Sequence, residues 1–363
     1  MRKVNVAVVG CGNISGIYLE NLTKRFHNVQ VYAVSDLIAE NAKTKSELYG
    51  IAKILTFEEI IADPNVEIVL NLTTPPTHYS LCRRALEAGK HVYVEKPLSL
   101  TYAEGKALVS LAEERGLLLG CAPDTFLGAG QQTCRRIIEE GLLGDIIGAT
   151  AFMVCHGHES WHPGPEFYYK KGGGPMFDMG PYYLTALVNM MGPVEWVSGM
   201  TAISVPTRTI TSQPKYGQVI DVEVPTHVNG LLRFANGAIG NIITSFDVWG
   251  SELPRIEIYG TRGSMLVPDP NCFDGTVKIK QYFDSEFREY PLVTGDSANS
   301  RGIGLSDMAD CVLAGRTDPR AGGRLALHVL EIMEKIHTSS DEHRQIRLES
   351  TCGKPPVLPL KLV

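Results

Sequence analysis

Short apolar runs separated by helical patterns occupy the first third of the chain. Residues 4–9 form a continuous apolar run, typical of a strand buried on both faces of a parallel sheet. Capping-box spacings, Thr56 with Glu59 and Thr101 with Glu104, indicate two helix starts. The alternation of helices and strands predicts a parallel sheet with helices on both faces. The strand candidates of this part are 4–9, 29–35, 68–71, 91–94 and 117–121.

The pattern changes after Ala122-Pro123, which we take as a domain boundary. Asn236-Gly237 lies between two strand candidates and predicts a β-hairpin with a type I′ turn. An amphipathic run at 325–336 predicts a late helix. We therefore expect a second α/β domain with a large, mainly antiparallel open sheet that helices cover on one face. Its strand candidates are 146–155, 196–204, 228–234, 238–246, 255–259 and 276–282.

Length and composition narrow the class of protein. The 363 residues exceed the ~250–300 residues of a single core, so we expect two domains, 1–122 and 123–363. A net charge of -6 without a basic stripe argues against a nucleic-acid partner. The first apolar run is too short for a signal peptide, and no apolar segment approaches the ~20 residues of a membrane span. Eight scattered cysteines without a C-x-x-C pair fit reduced thiols in a cytoplasm.

The first strand runs into a glycine turn of the kind that binds dinucleotides. In Gly10-Cys11-Gly12-Asn13-Ile14-Ser15 the two glycines suit a tight turn and the approach of a pyrophosphate, although Ser15 departs from the strict pattern. Asp36 ends the second strand about twenty residues later, where a carboxylate binds the adenosine ribose hydroxyls. No arginine follows Asp36 to favour a 2′-phosphate, so we expect NAD rather than NADP. Together these features predict an N-terminal Rossmann domain.

Two further loops should lie at the same edge of this sheet. Residues 73–78 follow the third strand, and Glu95-Lys96-Pro97 follows the fourth. Ligands of open parallel sheets bind outside the carboxyl ends of the strands, which places Lys96 near the nicotinamide. Alone, the Glu95-Lys96-Pro97 triplet is typical of a solvated turn. The residues that we expect to contact the cofactor are Gly10, Gly12, Asn13, Ile14, Asp36, Thr73, Pro75, His78, Glu95 and Lys96.

A glycine run in the second part precedes two titratable side chains. Gly172-Gly173-Gly174 permits positive φ angles and close approach to a ligand, and Pro181 suits the first turn of a helix that Gly192 would end. Asp178 and Tyr182, four residues apart, should share one face of that helix start. A phenol beside a carboxylate can act in acid/base catalysis if it faces a cavity. If it does not, the two residues are an ordinary part of a loop and a helix.

These motifs together resemble the glucose-fructose oxidoreductase / inositol dehydrogenase / rhizopine catabolism (Gfo/Idh/MocA) family of NAD(P)-dependent oxidoreductases. The resemblance rests on the glycine turn, on 95–99, on 172–180 and, more weakly, on 259–264. It implies a Rossmann domain followed by an open-sheet α/β domain, with catalysis in the cleft between them. The family's catalytic lysine falls on Lys96 and its aspartate on Asp178. Tyr182 stands where inositol dehydrogenase-like members carry histidine, and is similar to the proton-transfer tyrosine of the glucose-fructose oxidoreductase and dimeric dihydrodiol dehydrogenase branches.

The expected catalytic residues are Lys96, Asp178 and Tyr182. Hydride transfer from a secondary alcohol requires removal of the hydroxyl proton as the carbonyl forms. A phenol alone is a weak base, but a neighbouring ammonium favours its ionised form. We therefore expect Tyr182 to act as acid/base, Lys96 to tune it and polarise the substrate oxygen, and Asp178 to orient Lys96 or a sugar hydroxyl. In the alternative assignment, Lys96 transfers the proton and Tyr182 positions the substrate.

A histidine-rich segment, 156–163, precedes the glycine run. We expect a polar, aromatic pocket wall in which Trp161 stacks on a sugar ring, His158 and His162 bond its hydroxyls, and Tyr169 borders the pocket. A surface loop with incidental histidines is the plainer interpretation. His156 and His158 alternate along a strand and should share one face, but no third ligand is evident, so we predict no metal site.

The predicted function is NAD-dependent transfer of hydride between nicotinamide and a secondary alcohol or carbonyl of a sugar, sugar derivative or polyol. One alternative is a sugar enzyme that recycles NAD during an oxidation-elimination glycosidase reaction or an aldose exchange, and net NADH formation would discriminate between the two. Another is a catalytically silent NAD-binding sensor, which has no need for the three catalytic side chains. By analogy, the open sheet suggests a homodimer or homotetramer.

Overall fold

The computed structural model describes residues 2–359 and divides into two compact units. The first unit consists of two segments, the chain up to Leu127 and Ala298–Leu330. The second unit consists of Gly128–Ser297 and the chain from Glu331 onward. The first unit thus includes residues 298–330, which the sequence pattern assigned to the second domain. Within residues 2–359, no helix is both long enough and apolar enough to cross a membrane.

The chain up to Leu127 forms the parallel sheet that the apolar runs predict. Its five strands are ordered β2-β1-β3-β4-β5, and every pairing is parallel. Thr56 and Glu59 form the predicted capping box at the start of α3. The elements are β1 (Val4–Val9), α1 (Ser15–Lys24), β2 (Val29–Ser35), α2 (Ala39–Tyr49), α3 (Phe57–Ala62), β3 (Ile68–Asn71), α4 (Pro75–Glu87), β4 (His91–Val94), α5 (Tyr102–Glu114) and β5 (Leu119–Cys121).

The next segment contributes eight strands of a nine-stranded sheet, ordered β15-β14-β13-β12-β6-β11-β10-β7-β16. Only the pairing of β6 with β11 is parallel among those of the described sheet, which confirms the expected mainly antiparallel domain. Strands β8 and β9 form a separate hairpin. The elements are α6 (Ala129–Glu139), β6 (Ile146–Val154), α7 (Gly174–Asp178), α8 (Gly180–Met191), β7 (Val194–Ala202), β8 (Thr207–Thr209), β9 (Val219–Asp221), β10 (His227–Phe234), β11 (Ile239–Ser245), β12 (Ile256–Gly260), β13 (Gly263–Val267), β14 (Val277–Gln281) and β15 (Arg288–Tyr290).

The last elements are α9 (Ile303–Ala314), α10 (Gly323–Glu342), which is the predicted late helix, and β16 (Ile346–Arg347). Helix α9 belongs to the first unit. The Asp124 carboxylate accepts the N–H groups of Gly302 and Gly304 at its start, at 2.8 and 3.0 Å. The Cys121 N–H donates to the carbonyl of Ala321 at 2.9 Å. The first unit is therefore completed by a segment that follows most of the second in sequence.

Burial alternates along the strands of the large sheet. In β10, Val228, Leu232 and Phe234 are buried, whereas Leu231 and Arg233 between them are exposed. Helix α10 approaches the covered face so closely that a Cβ at Gly230 would lie 2.7 Å from the Ile336 side chain. The structure therefore confirms that one face is covered by helices.

The hairpin between β10 and β11 is confirmed, but its predicted turn type is wrong. Gly237 has φ +87°, and among the described non-glycine residues only His343 has a positive φ. A type I′ turn needs positive φ at both central residues, so Asn236 does not meet its requirement. The Phe234 N–H donates to Ala238, and the Gly237 N–H donates to Phe234. A three-residue loop with glycine in the left-handed region replaces the two-residue turn.

Candidate active site

The glycine turn of the first unit leaves an open helix start. Gly10 has φ +97°, and a Cβ there would lie 2.7 Å from the carbonyl carbon of Leu72. A Cβ at Gly12 would meet nothing within 4 Å, and Gly12, Asn13 and Ile14 are exposed. No side chain caps the start of α1. Because uncapped helix N–H groups attract anions, this turn fits the pyrophosphate of a dinucleotide.

Asp36 anchors the glycine turn to the end of β2. Its carboxylate accepts the N–H of Cys11 at 2.7 Å and that of Ile38 at 2.8 Å, and the residue is half-buried. Burial, followed by the Asp36 charge, raises the pKa of the Cys11 thiol to about 11, so this thiol stays neutral. Each carboxylate oxygen has further lone pairs, so Asp36 can still accept ribose hydroxyls.

His78 lies behind the edge of the sheet, where its side chain has no exposed surface. Nδ1 is 2.7 Å from the carbonyl oxygen of Pro97 and Nε2 is 3.0 Å from that of Thr73. Burial lowers the pKa of this imidazole, against the opposing effect of the two carbonyl groups. The expected cofactor contact is therefore wrong for His78, which links the loops after β3 and β4. Thr73 is half-buried on the first of these loops, and Pro75, also half-buried, begins α4 instead of lying on the loop as expected.

Glu95 also points inward. It is buried, and its carboxylate accepts the Tyr18 hydroxyl at 2.7 Å and the Lys96 N–H at 2.9 Å. Burial, with the Glu95 charge as the next cause, raises the pKa of Tyr18 well above its ordinary value. Lys96 follows directly and is half-buried. Glu95 thus fixes the backbone from which the Lys96 side chain extends.

The glycine run of the second unit leads into two helices rather than one. Gly174 has φ +84° and begins α7, which ends at Asp178. Helix α8 begins two residues later, contains Tyr182 in its first turn and ends before Gly192, as predicted. The Tyr182 N–H donates to the Met179 carbonyl at 3.1 Å. Asp178 and Tyr182 are both half-buried, and their sharing of one face stays a prediction.

His158 faces Asp178 within an aromatic wall. Its Nε2 is 3.4 Å from Asp178 Oδ2, and its ring centroid lies 4.1 Å from Tyr168, 4.6 Å from Phe246 and 5.3 Å from Trp161. Neither ring nitrogen has a hydrogen-bond partner within residues 2–359. The histidine segment and the Asp178 helix therefore form one local site.

A buried ion-pair network holds this segment. Glu159 accepts the His158 N–H at 2.9 Å, Arg208 Nη1 at 3.0 Å and the Tyr169 hydroxyl. Arg208 also donates to the Phe246 carbonyl at 3.0 Å and pairs with Asp247. Tyr169 has no exposed surface, so the structure contradicts its expected place at the pocket border. Its hydroxyl instead donates to the Glu159 carboxylate. Burial is the main cause that raises the pKa of this phenol, and the neighbouring Glu159 is the next.

The two histidines of the predicted strand face point to different neighbours. Strand β6 ends at Val154, and Gly157 has φ +73°, so the chain is no longer extended between His156 and His158. His156 stacks on Trp249 instead of lying beside His158. Among residues 2–359, no group of three or more His, Cys, Asp or Glu side chains is placed to hold a metal ion.

The two parts of the chain match two family models. Residues 4–122 match an oxidoreductase family with an NAD-binding Rossmann fold, and residues 131–266 match the GFO/IDH/MocA C-terminal domain. The chain belongs to the GFO/IDH/MocA family. This oxidoreductase therefore has an NAD-binding Rossmann domain, to which the glycine turn and Asp36 belong.

Individual relatives agree with the family. An uncharacterised oxidoreductase of Schizosaccharomyces pombe is 30% identical over 281 residues, covering 73% of this chain and 71% of that protein. D-Xylose dehydrogenase of Paenarthrobacter nicotinovorans is 25% identical, with 91% and 89% covered. The structure of apo levoglucosan dehydrogenase superposes with a TM-score of 0.83 at 20% identity, covering 97% of this chain and 100% of that one. The similarity to levoglucosan dehydrogenase establishes the fold.

Sequence reasoning missed the network behind the site of this GFO/IDH/MocA protein. Arg208 and Asp247 lie 49 and 88 positions beyond Glu159 and share no motif with it. Glu159 itself was passed over between two candidate residues, His158 and Trp161. Of the residues that were expected in this region, the structure brings together His158, Trp161 and Asp178, with the His162 ring 5.4 Å from Trp161.

Proposed function

We propose that this oxidoreductase transfers hydride between NAD and a secondary alcohol or carbonyl of a sugar, sugar derivative or polyol. The observation that carries the proposal is the pairing of His158 with Asp178 beside Trp161 and Tyr168. A carbohydrate presents hydroxyls that need polar partners and C–H faces that pack on aromatic rings. The D-xylose dehydrogenase relative supports this substrate class. We assign cofactor binding to 1–122 and substrate binding to the second domain.

The proposed chemistry uses three side chains. NAD, when bound, supplies the hydride acceptor or donor. Tyr182 exchanges the hydroxyl proton, and the Lys96 ammonium favours the phenolate and polarises the substrate oxygen. Asp178, held opposite His158, orients a sugar hydroxyl or Lys96. A carboxylate at Asp36, followed by Leu37 and Ile38 without an arginine, favours NAD over the 2′-phosphate of NADP.

Mixing the protein with NAD and a panel of sugars and polyols, and following NADH absorbance, tests the activity. With the best substrate, Tyr182→Phe should lower kcat/KM at least ~100-fold, because general acid–base catalysis contributes about that much or more. Lys96→Met should lower it and shift the pH profile to higher pH, because the phenol loses its cationic neighbour. Undiminished activity in both variants would contradict the mechanism. A profile that follows Lys96 alone would favour the lysine as the proton-transfer group.

The second candidate is a sugar enzyme that reoxidises its bound nicotinamide in each cycle. Sugar conversion without accumulated NADH would identify it in the same assay. An NAD-binding sensor would show neither sugar conversion nor accumulated NADH. We further propose that the protein works in a cytoplasm, since all eight of its cysteines, each within the described residues, are free thiols, as a reducing compartment favours.

A further inference from the structure

Two tryptophans are exposed around the segment that follows β6. Trp161 is 61% exposed and its ring meets the edge of His158, whereas Trp249 is 85% exposed and stacks on His156. The His156 and Trp249 rings lie 3.4 Å apart at 15°. The Val248 N–H donates to the Cys155 carbonyl at 3.1 Å and fixes the loop beside β6. One face of the Trp249 indole is therefore supported, and the other is open.

We propose that the open face of Trp249 is a second sugar subsite, so that the substrate is a glycoside or oligosaccharide rather than a free monosaccharide. This inference rests on the proposed function of the His158–Asp178 site. His156 and His158 are two residues apart, so their Cα atoms are separated by at most about 7 Å. His158 faces Asp178 and His156 stacks on Trp249, so the backbone that carries both contacts is short enough to serve adjoining rings of one glycan, the first at Asp178 and the next at Trp249.

The surroundings of Trp249 favour a carbohydrate as the occupant. The next three residues, Gly250, Ser251 and Glu252, are exposed and either small or polar. A stable subunit interface has a continuous apolar centre, whereas a sugar needs a flat ring and hydroxyl partners nearby. The indole supplies the ring, and Ser251 and Glu252 supply polar groups. Leu253 is also exposed, so a second copy of this chain is the competing occupant.

Calorimetric titration with free pentoses and hexoses, and with their α- and β-linked disaccharides, tests the subsite. At least one disaccharide should bind the wild type more tightly than its monosaccharide. Trp249→Ala should weaken that disaccharide about tenfold, the size of an aromatic contact, without changing monosaccharide affinity. Trp249→Phe should restore most of the loss. Trp196→Phe, on a half-buried tryptophan of β7, is the matched control and should change neither affinity.

Equal affinity for monosaccharides and disaccharides would overturn the subsite, as would equal weakening of both by Trp249→Ala. A Trp249→Ala protein that sediments as a smaller species, with its disaccharide affinity unchanged, would assign the indole to a subunit contact. Turnover of monosaccharides without any disaccharide preference leaves the proposed function intact and removes only the subsite. Absence of binding and turnover with every sugar removes both.

Discussion

At the scale of single residues, Asp124 is the most perturbed carboxyl group near the nucleotide-binding sheet. Both helix-start N–H groups, of Gly302 and Gly304, donate to its Oδ2. Burial raises its pKa to about 6 despite these two hydrogen bonds. Between that value and the usual value of 3.8, the folded protein binds a proton that the unfolded chain does not. This group therefore stabilises the fold increasingly as the pH falls through that window.

Asp124→Asn should remove this pH dependence, because the amide oxygen can accept the same two N–H groups. Between pH 7.5 and 4.5, the free energy of unfolding of the wild type should rise relative to that of the variant by about 2 kcal/mol. Urea unfolding of both proteins across this range measures the difference. Parallel curves for the two proteins would show that the Asp124 carboxyl does not titrate in the window.

Residues whose role follows from local spacing were predictable, and those whose role depends on distant partners were not. The turn at Gly10 and the carboxylate at Asp36 follow from a short strand–helix–strand unit, and the structure places them at the sheet edge as expected. His78 lies in the first turn of α4 rather than on the expected loop, and its orientation depends on two carbonyls, one of them nineteen positions away. Arg208 has no local signal, since its charge is balanced by Glu159 and Asp247 only after folding.

At the scale of elements, the β8–β9 hairpin supports the proposed substrate site through Arg208. Periodicity does not indicate this hairpin, because each of its strands is only three residues long. Its arginine ties Glu159 to the end of β11 and thereby fixes the His158 N–H. Periodicity detects long elements buried on one face, so it found β6, β10 and β11 but missed the short strands β8, β9 and β13.

Arg208→Met should disturb the substrate site selectively. The buried Glu159 and the half-buried Asp247 would lose their cationic partner, and breaking a buried ion pair typically costs about 3–5 kcal/mol. We expect at least a tenfold rise in KM for sugar at permissive temperature, because His158 is released, with unchanged affinity for NADH. Steady-state kinetics and NADH fluorescence titration measure the two quantities.

Arg135→Met is the matched control for this variant. Arg135 is an equally buried arginine of α6 in the same unit, and it donates to the carbonyl of Asn189 and pairs with Glu139. The Arg135→Met variant should be less stable than the wild type, while its KM for sugar should stay unchanged. An equal rise of KM in both variants would mean that Arg208 acts through general stability alone.

At the scale of the whole molecule, the uncovered face of the nine-stranded sheet is the proposed subunit contact. Met200 is 79% exposed and Leu231 is 56% exposed. Asn229, Leu231 and Arg233 lie on one face of β10, and the strand register pairs Asn229 with Met200 and Arg233 with Ile239. Met200 and the exposed Ile239 therefore share the face that bears Leu231. Several exposed apolar groups on one sheet face, here interspersed with Asn229 and Arg233, are typical of an association surface.

Leu231→Arg should therefore convert the proposed dimer or tetramer into a smaller species. The introduced charge would be buried without a partner, which disfavours association. Sedimentation equilibrium of the wild type and the variant measures this. Leu48→Arg, at an exposed leucine on α2 of the first unit, is the control and should leave the mass unchanged. A wild-type protein that sediments as a monomer would remove the proposal.

The interrupted first unit has a consequence for biosynthesis. Its nucleotide-binding sheet is complete once Cys121 has left the ribosome, but the partners of Asp124 and Cys121 belong to the segment after residue 297. At ordinary translation rates that segment emerges roughly 10–40 s later. The nascent sheet must wait through this interval with α9 missing. Nascent chains arrested before and after α9 should therefore differ in protease resistance, although both contain every residue of the glycine turn.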